Sequence, residues 1–168
     1  MIFSTSRAVV RELDDSDAAF LVELLNDPAF LEHIGDRGVR DVEAARLYLE
    51  RGPRASYREH GFGLWCVTLR TTNAPIGICG VLRRSELPAP DLGYAFLPSY
   101  RGQGLAREVA AGTVAFAREH LKIERLLAIV SPGNAPSIRL LESLGFLHLG
   151  AAPGASSPEG LCLFERNT

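Results

Sequence analysis

With 168 residues, the chain is long enough for one domain with a sizeable core and short for two. A composition of 46% hydrophobic and 23% charged residues is that of an ordinary soluble globular protein. The 18 basic residues are scattered among 20 acidic ones for a net charge of −2, which argues against a protein held on nucleic acid by bulk charge.

The opening run up to Arg7 lacks the basic-then-apolar order of a signal peptide, and the longest apolar runs are too short to span a bilayer. Cys66, Cys79 and Cys162 are odd in number and form no CxxC pair, so neither a metal site nor a disulfide framework is expected. Lying in apolar, strand-like stretches, they read as buried free thiols in a reducing cytoplasm.

Residues 8–13 read as a first strand. Asp14, Ser16 and Asp17 supply cap chemistry for a helix whose apolar face is Phe20, Leu21, Leu24 and Leu25, and Pro28 stops it. A short helix over 29–33 and a loop over 35–38 follow. Asp41 can cap a further helix through Ala44, Leu47 and Leu49, which ends in an arginine-rich stretch with Gly52 and Pro53. From Gly61 the period becomes that of strands, over 63–69 and 76–82, joined by the turn-rich run 71–75. A polar loop with Pro88 and Pro90 leads to a strand over 91–97, closed by Pro98. A glycine-rich turn then opens a helix to about His120, followed by a strand over 125–130 and a helix over 136–144. Two last strands, over 146–150 and 161–165, flank a low-complexity linker over 151–160. The order β-α-α-β-β-β-α-β-α-β-β gives an α/β chain with a mixed sheet in a single domain.

A strand running into a glycine-rich turn and then a helix is a standard anion site. The first helical turn has unpaired N–H groups at the positive end of its dipole, and glycines let a phosphate approach them closely. Gly102 and Gly104 occupy the turn, Arg101 and Arg107 flank it, and the first acidic residue of the helix is Glu108. A helix start carrying arginine in place of carboxylates stays electrostatically unsatisfied until an external anion arrives, which points to a phosphate or pyrophosphate ligand. The alternative is a tight turn that needs glycine for backbone reasons alone. A dinucleotide fingerprint would want glycine where Arg107 stands, and no GxxxxGK[ST] loop is present.

The element order and these residues together resemble the GNAT superfamily of N-acetyltransferases. That family's cofactor signature is Arg or Gln, two residues, Gly, one residue, then Gly or Ala, and Arg101, Gly104 and Ala106 match it. The resemblance is closest to the RimJ/RimL-type branch. It is carried by Trp65, by Asp91-Leu92-Gly93-Tyr94, by Pro98-Ser99-Tyr100-Arg101-Gly102-Gln103-Gly104, and by the run from Asn134 through Ser137 and Leu141 to Phe146. It spans nearly the whole chain, from Arg7 to about Phe164.

The resemblance implies acetyl-CoA as cosubstrate and no metal. The CoA pyrophosphate would lie on the amides of Arg101, Gly102, Gln103, Gly104, Leu105 and Ala106. The strand end at Phe96 and Leu97 would pair with the pantetheine arm, one N–H near Leu97 holding the thioester oxygen. Asn134 would bond the same arm, or else serve only as a turn residue. Asp91 is the candidate base that neutralises the acceptor amine through water, its alternative being a loop cap after Pro90. Ser137 is the candidate donor toward the CoA sulfur, its alternative being a cap on its own helix. Many members carry a general-acid tyrosine where this chain has Leu141, so that version of the chemistry is excluded. Glu59 and His60 are second candidates for a base.

The acceptor is read as a primary amine, on a protein N-terminus or a small molecule, held in a groove over 26–58 and 151–161. The missing tyrosine also leaves open a non-catalytic acyl-CoA-binding sensor. The resemblance allows a homodimer, which no sequence feature demands.

Overall fold

The computed structural model of the protein describes residues 1–154 and 160–168, so the centre of the predicted linker and of the second groove segment lies outside the described residues. Eight strands form one sheet in the order β1-β2-β3-β4-β5-β6-β8-β7. They are β1 (Phe3–Ser4), β2 (Ala8–Arg11), β3 (Leu64–Leu69), β4 (Pro75–Leu82), β5 (Asp91–Phe96), β6 (Arg125–Val130), β7 (Leu147–Ala151) and β8 (Cys162–Asn167). Every neighbouring pair is antiparallel except β5 and β6, which are parallel. The helices are α1 (Ala18–Leu25), α2 (Pro28–His33), α3 (Val42–Leu49), α4 (Ala55–His60), α5 (Leu105–Glu119) and α6 (Ala135–Ser143). None is long and apolar enough to cross a membrane.

The predicted α/β architecture with a mixed sheet is what forms, with two additions near the N-terminus. Phe3–Ser4 is a strand on the sheet edge, where the Phe3 ring stacks on Phe116 at 5.7 Å and meets Trp65 edge-on at 6.5 Å. The arginine-rich stretch is also more ordered than Gly52 and Pro53 suggest. A π-helical turn over Glu50–Arg54 carries the chain into α4, and Pro53 is buried within it. Proline has no N–H for the regular ladder, and a single widened turn absorbs that missing rung before the helix resumes.

The sheet is covered on both faces. The face under α5 buries Trp65, Val67, Cys79, Val81, Leu92 and Phe96 against Leu105, Val109, Ala110, Val114 and Ala117. The other face buries Cys66, Ile78 and Leu97 against Leu21, Leu24 and Leu25 of α1 and Leu49 of α3. Neighbours such as Trp65 and Cys66, or Ile78 and Cys79, thus serve opposite cores, as the two-residue period of a strand dictates. Each fully buried Leu or Val here stabilises the fold by roughly 1.5–3 kcal/mol.

A buried ion pair ties the early chain to the sheet. Arg11 donates two bonds of 2.8 Å to the Asp17 carboxylate, which also accepts the Asp14 amide in a capping box. Cys66 and Cys79 are buried thiols, and desolvation pushes both up to about 12, whereas Cys162 is half-buried.

Candidate active site

The site begins where β5 and β6 part. Their one rung lies at Asp91 and Leu127, where the Leu127 amide donates to the Pro90 carbonyl at 2.9 Å. Beyond it the two strands diverge, although both continue for several residues. On its other side β5 stays zipped to β4 as far as the Leu97 amide, which donates to the Ile76 carbonyl at 2.9 Å. Antiparallel rungs alternate, so Ala95 and Gly93 also bond toward β4, and the N–H groups of Tyr94 and Phe96 turn toward the gap. The Leu97 N–H is therefore engaged, and the free donor beside it belongs to Phe96.

At the end of β5 the chain enters the glycine-rich turn. Gly102 and Gly104 both take left-handed conformations, with φ of +71° and +76°, which bend the chain into the start of α5. The amides of residues 102–107 donate to no acceptor among the described residues; the ladder starts with Glu108 on the Gly104 carbonyl at 3.0 Å. A run of outward-facing amides at the positive end of a 15-residue helix is a ready anion cradle.

Of the two arginines expected to offer their charge at the cradle, only Arg107 does. Arg101 turns inward. Its Nη2 meets the Asp27 carboxylate at 2.5 Å and its Nε donates to the Phe96 carbonyl at 2.9 Å, so its charge is already satisfied. Arg7 bonds the Gln103 carbonyl at 2.9 Å and pairs with Glu108 at 2.7 Å. Arg107 contacts only neutral groups among the described residues, the Ser143 hydroxyl and carbonyl. The positive charge left for an external anion is therefore that of Arg107 and the helix start, while Arg101 and Arg7 shape the turn. The Gln103 side chain staples the turn by donating to the Ser99 carbonyl at 2.8 Å.

A cavity of about 470 Å³ lies at the gap between the strands and is lined in part by α2 and the loop after it. Asp91, Tyr94, Asn134 and Ser137 all line it, together with His33, Arg37, Arg84 and Glu86. Asp91 is 1% exposed, and the Nε of Arg84 lies 3.1 Å from each of its carboxylate oxygens. Burial nevertheless dominates and pushes the carboxyl up to about 6, against the pull of Arg84. Asn134 is the N-cap of α6, its side-chain oxygen accepting the Ser137 amide at 3.3 Å. Ser137 is thus not the cap of its helix, and its Oγ lies 2.6 Å from the Tyr94 hydroxyl. Leu141 is buried against the same cavity, and Glu59 and His60 do not line it. Among the described residues no His, Cys, Asp and Glu cluster could hold a metal ion.

A sequence profile of the acetyltransferase (GNAT) domain matches residues 7–147. The chain belongs to the GNAT acetyltransferase family. An uncharacterized N-acetyltransferase, p20 of Bacillus licheniformis, is 28% identical over 143 residues, covering 84% of this chain and 80% of that protein. The crystal structure of an acetyltransferase from Agrobacterium tumefaciens superposes with a TM-score of 0.84 at 25% identity, covering 99% of this chain and 94% of that one. A ribosomal-protein-S5-alanine acetyltransferase from Vibrio fischeri shares the fold, with a TM-score of 0.72 at 19% identity over 98% of this chain and 95% of its own.

GNAT enzymes draw the acetyl group from acetyl-CoA, and the local chemistry here fits that cosubstrate. The unpaired amides at residues 102–107 suit a pyrophosphate, and the unpaired backbone edge of β5 suits an amide-bearing arm. Of the residues singled out in the sequence, the cavity gathers Asp91, Asn134 and Ser137, and the cradle gathers Gly102, Gln103, Gly104, Leu105 and Ala106. Arg84 and the Tyr94 hydroxyl escaped the sequence reading. Arg84 follows β4 with no motif of its own, and Tyr94 could be recognised only as part of the acid-x-Gly-Tyr run.

Proposed function

We propose that this protein is a RimJ/RimL-type N-acetyltransferase acting on protein N-terminal α-amines in the cytoplasm. The observation that carries the reading is the buried Asp91 carboxyl in the lining of the cavity, raised to about 6. Against an α-amine of about 7.7–8.0, proton acceptance by Asp91 is uphill by about 2.5 kcal/mol; against lysine at about 10.4 it is uphill by about 6 kcal/mol. A weak base of this kind suits the more acidic ammonium. The Vibrio fischeri fold neighbour, by name a ribosomal-protein alanine acetyltransferase, supports the same choice.

Acetyl-CoA supplies an activated acetyl thioester when bound. The amides of Gly102, Gln103, Gly104, Leu105 and Ala106 would hold its pyrophosphate, with Arg101 fixing the turn from behind. The backbone of Tyr94 and Phe96 would pair with the pantetheine arm on one side, and the Asn134 amide nitrogen would donate to it on the other. The thioester lies at the end of the arm away from the pyrophosphate, so of the two gap-facing groups the Tyr94 N–H is the donor for its oxygen as charge gathers there. Asp91 takes the ammonium proton directly or through one water, and Arg84 keeps the carboxylate ionised near neutral pH. Ser137 gives a hydrogen bond to the sulfur as it leaves.

The test is free-thiol release from acetyl-CoA, measured with short peptides, with the same peptides blocked at the N-terminus, and with spermidine. Release that needs a free N-terminus supports the proposal. Release with spermidine and none with peptides moves the acceptor to small amines. Thermal stabilisation by CoA without turnover on any amine leaves a binding protein.

A further inference from the structure

Ser137 alone is a poor proton source, because an aliphatic hydroxyl is a far weaker acid than a phenol. The structure sets a phenol against it. Tyr94 stands on β5, with its hydroxyl 2.6 Å from Ser137 Oγ and 3.3 Å from the Ser137 carbonyl oxygen. Asn134 already caps α6, so no backbone duty fixes the Ser137 hydroxyl. Leu141, four residues on, shares the helix face of Ser137 and lines the same cavity. The hydroxyl that a tyrosine at Leu141 would bring from the helix therefore arrives from the strand opposite.

We propose that Tyr94 is a positioning residue for proton delivery. Its phenol donates to Ser137 Oγ, which turns the Ser137 hydrogen into the cavity toward the sulfur of the departing thiol. This rests on the acetyltransferase reading of the same cavity.

The balance is simple. The amine nitrogen forms the new C–N bond, the C–S bond breaks, and sulfur keeps the bonding pair. The Ser137 proton passes to sulfur and the Tyr94 proton to Ser137 oxygen. Two protons leave the nitrogen through Asp91 to solvent, one from the ammonium before attack and one from the tetrahedral adduct, and solvent returns one to the phenol, so each turnover releases one proton. Burial holds the Tyr94 phenol at about 12, so it stays protonated and able to donate wherever an α-amine is neutral.

The experiment compares Tyr94→Phe, Ser137→Ala, the double variant and Ser137→Thr. Phenylalanine keeps the packing of the ring, and thermal midpoints verify that each variant folds. Each single variant is expected to lose roughly 10- to 100-fold in kcat with little change in KM. Two groups acting in series predict that the double variant is no worse than the lower single within about threefold. Ser137→Thr restores most of the rate.

A second readout needs no turnover. The ionisation of the CoA thiol in the binary complex, followed by thiolate absorbance, is expected to move up by about one pH unit in Tyr94→Phe and in Ser137→Ala. Independent, multiplicative losses in the double variant would overturn the proposal, and so would a bound-thiol titration unmoved by Tyr94→Phe. If the wild-type protein binds CoA and turns over while Tyr94→Phe matches it, the proposal fails and the enzyme reading stands. A wild-type protein that neither binds CoA nor turns over removes both.

Discussion

Replacing Asp91 with asparagine separates the chemical role of this carboxyl from its effect on stability, because the two move in opposite directions. Asp91 is 1% exposed, and its only cationic partner among the described residues, Arg84, is about one-third exposed. A carboxyl moved from 3.8 to about 6 is harder to ionise in the folded chain than in the unfolded one by about 3 kcal/mol. The folded value lies above the unfolded one, so the stabilising contribution is fully present below about 3.8 and is lost as pH rises through about 6. Wild-type stability in urea therefore carries a decline of up to about 3 kcal/mol between pH 4 and 8, which Asp91→Asn lacks. The same substitution lowers peptide-dependent kcat by about 10²- to 10⁴-fold and removes the rising limb of the kcat profile near pH 6. Urea titrations at several pH values and a pH–rate profile read both effects. If Asp91→Asn is less stable than wild type by several kcal/mol at pH 8, the Arg84 pair is a net clamp and the burial argument is refuted. Turnover within threefold of wild type, with the limb intact, removes Asp91 from the chemistry.

Three further substitutions address the frame around the cavity. Gly104→Ala forces a side chain into a left-handed position with φ of +76°, costing about 1–2 kcal/mol, and calorimetry should show CoA binding weakened at least tenfold. Arg101→Met leaves Asp27, 8% exposed, without its cation; after discounting for the half-exposed arginine, urea unfolding should register a loss of about 1–3 kcal/mol with weaker CoA binding. Asp17→Ala strands Arg11 beside the core and should destabilise by about 3–5 kcal/mol in the same assay. It should leave kcat and KM of the folded fraction unchanged, since Asp17 lies outside the cavity lining.

The glycine-rich turn and the helix start behind it were legible because they are local. A strand, two glycines and a helix start lie within consecutive residues, and β6 was read over its observed span, Arg125–Val130. What escaped depends on long-range partners. Arg101 and Asp27 are 74 positions apart, and Arg7 and Glu108 are 101 apart, so nothing in the turn itself reveals that Arg101 is already paired or that Arg7 braces the turn. The Leu97 amide could be assigned only from the register of β4 on β5, because a one-residue change reverses which N–H groups face the gap. Phe3–Ser4 is too short to show a period, and α4 was hidden behind Pro53, which ordinarily ends a helix. The rest of the cavity lining stays unwritten in the sequence because His33 and Arg37 meet Glu86 around the cavity only once the chain has folded.

The parting of β5 from β6 makes the sheet two panels hinged on one rung, five strands on one side and three on the other. On the proposed reading, a donor arm laid along that seam would act as mortar, replacing rungs that the polypeptide leaves out. Structural integrity and substrate load are then coupled: a donor at 100 times its Kd adds about 2.7 kcal/mol to the folded state. Hydrogen exchange along β6 and the neighbouring three-strand panel should slow together as donor is added. The chain is thus most vulnerable to unfolding and proteolysis when its acetyl donor is scarce.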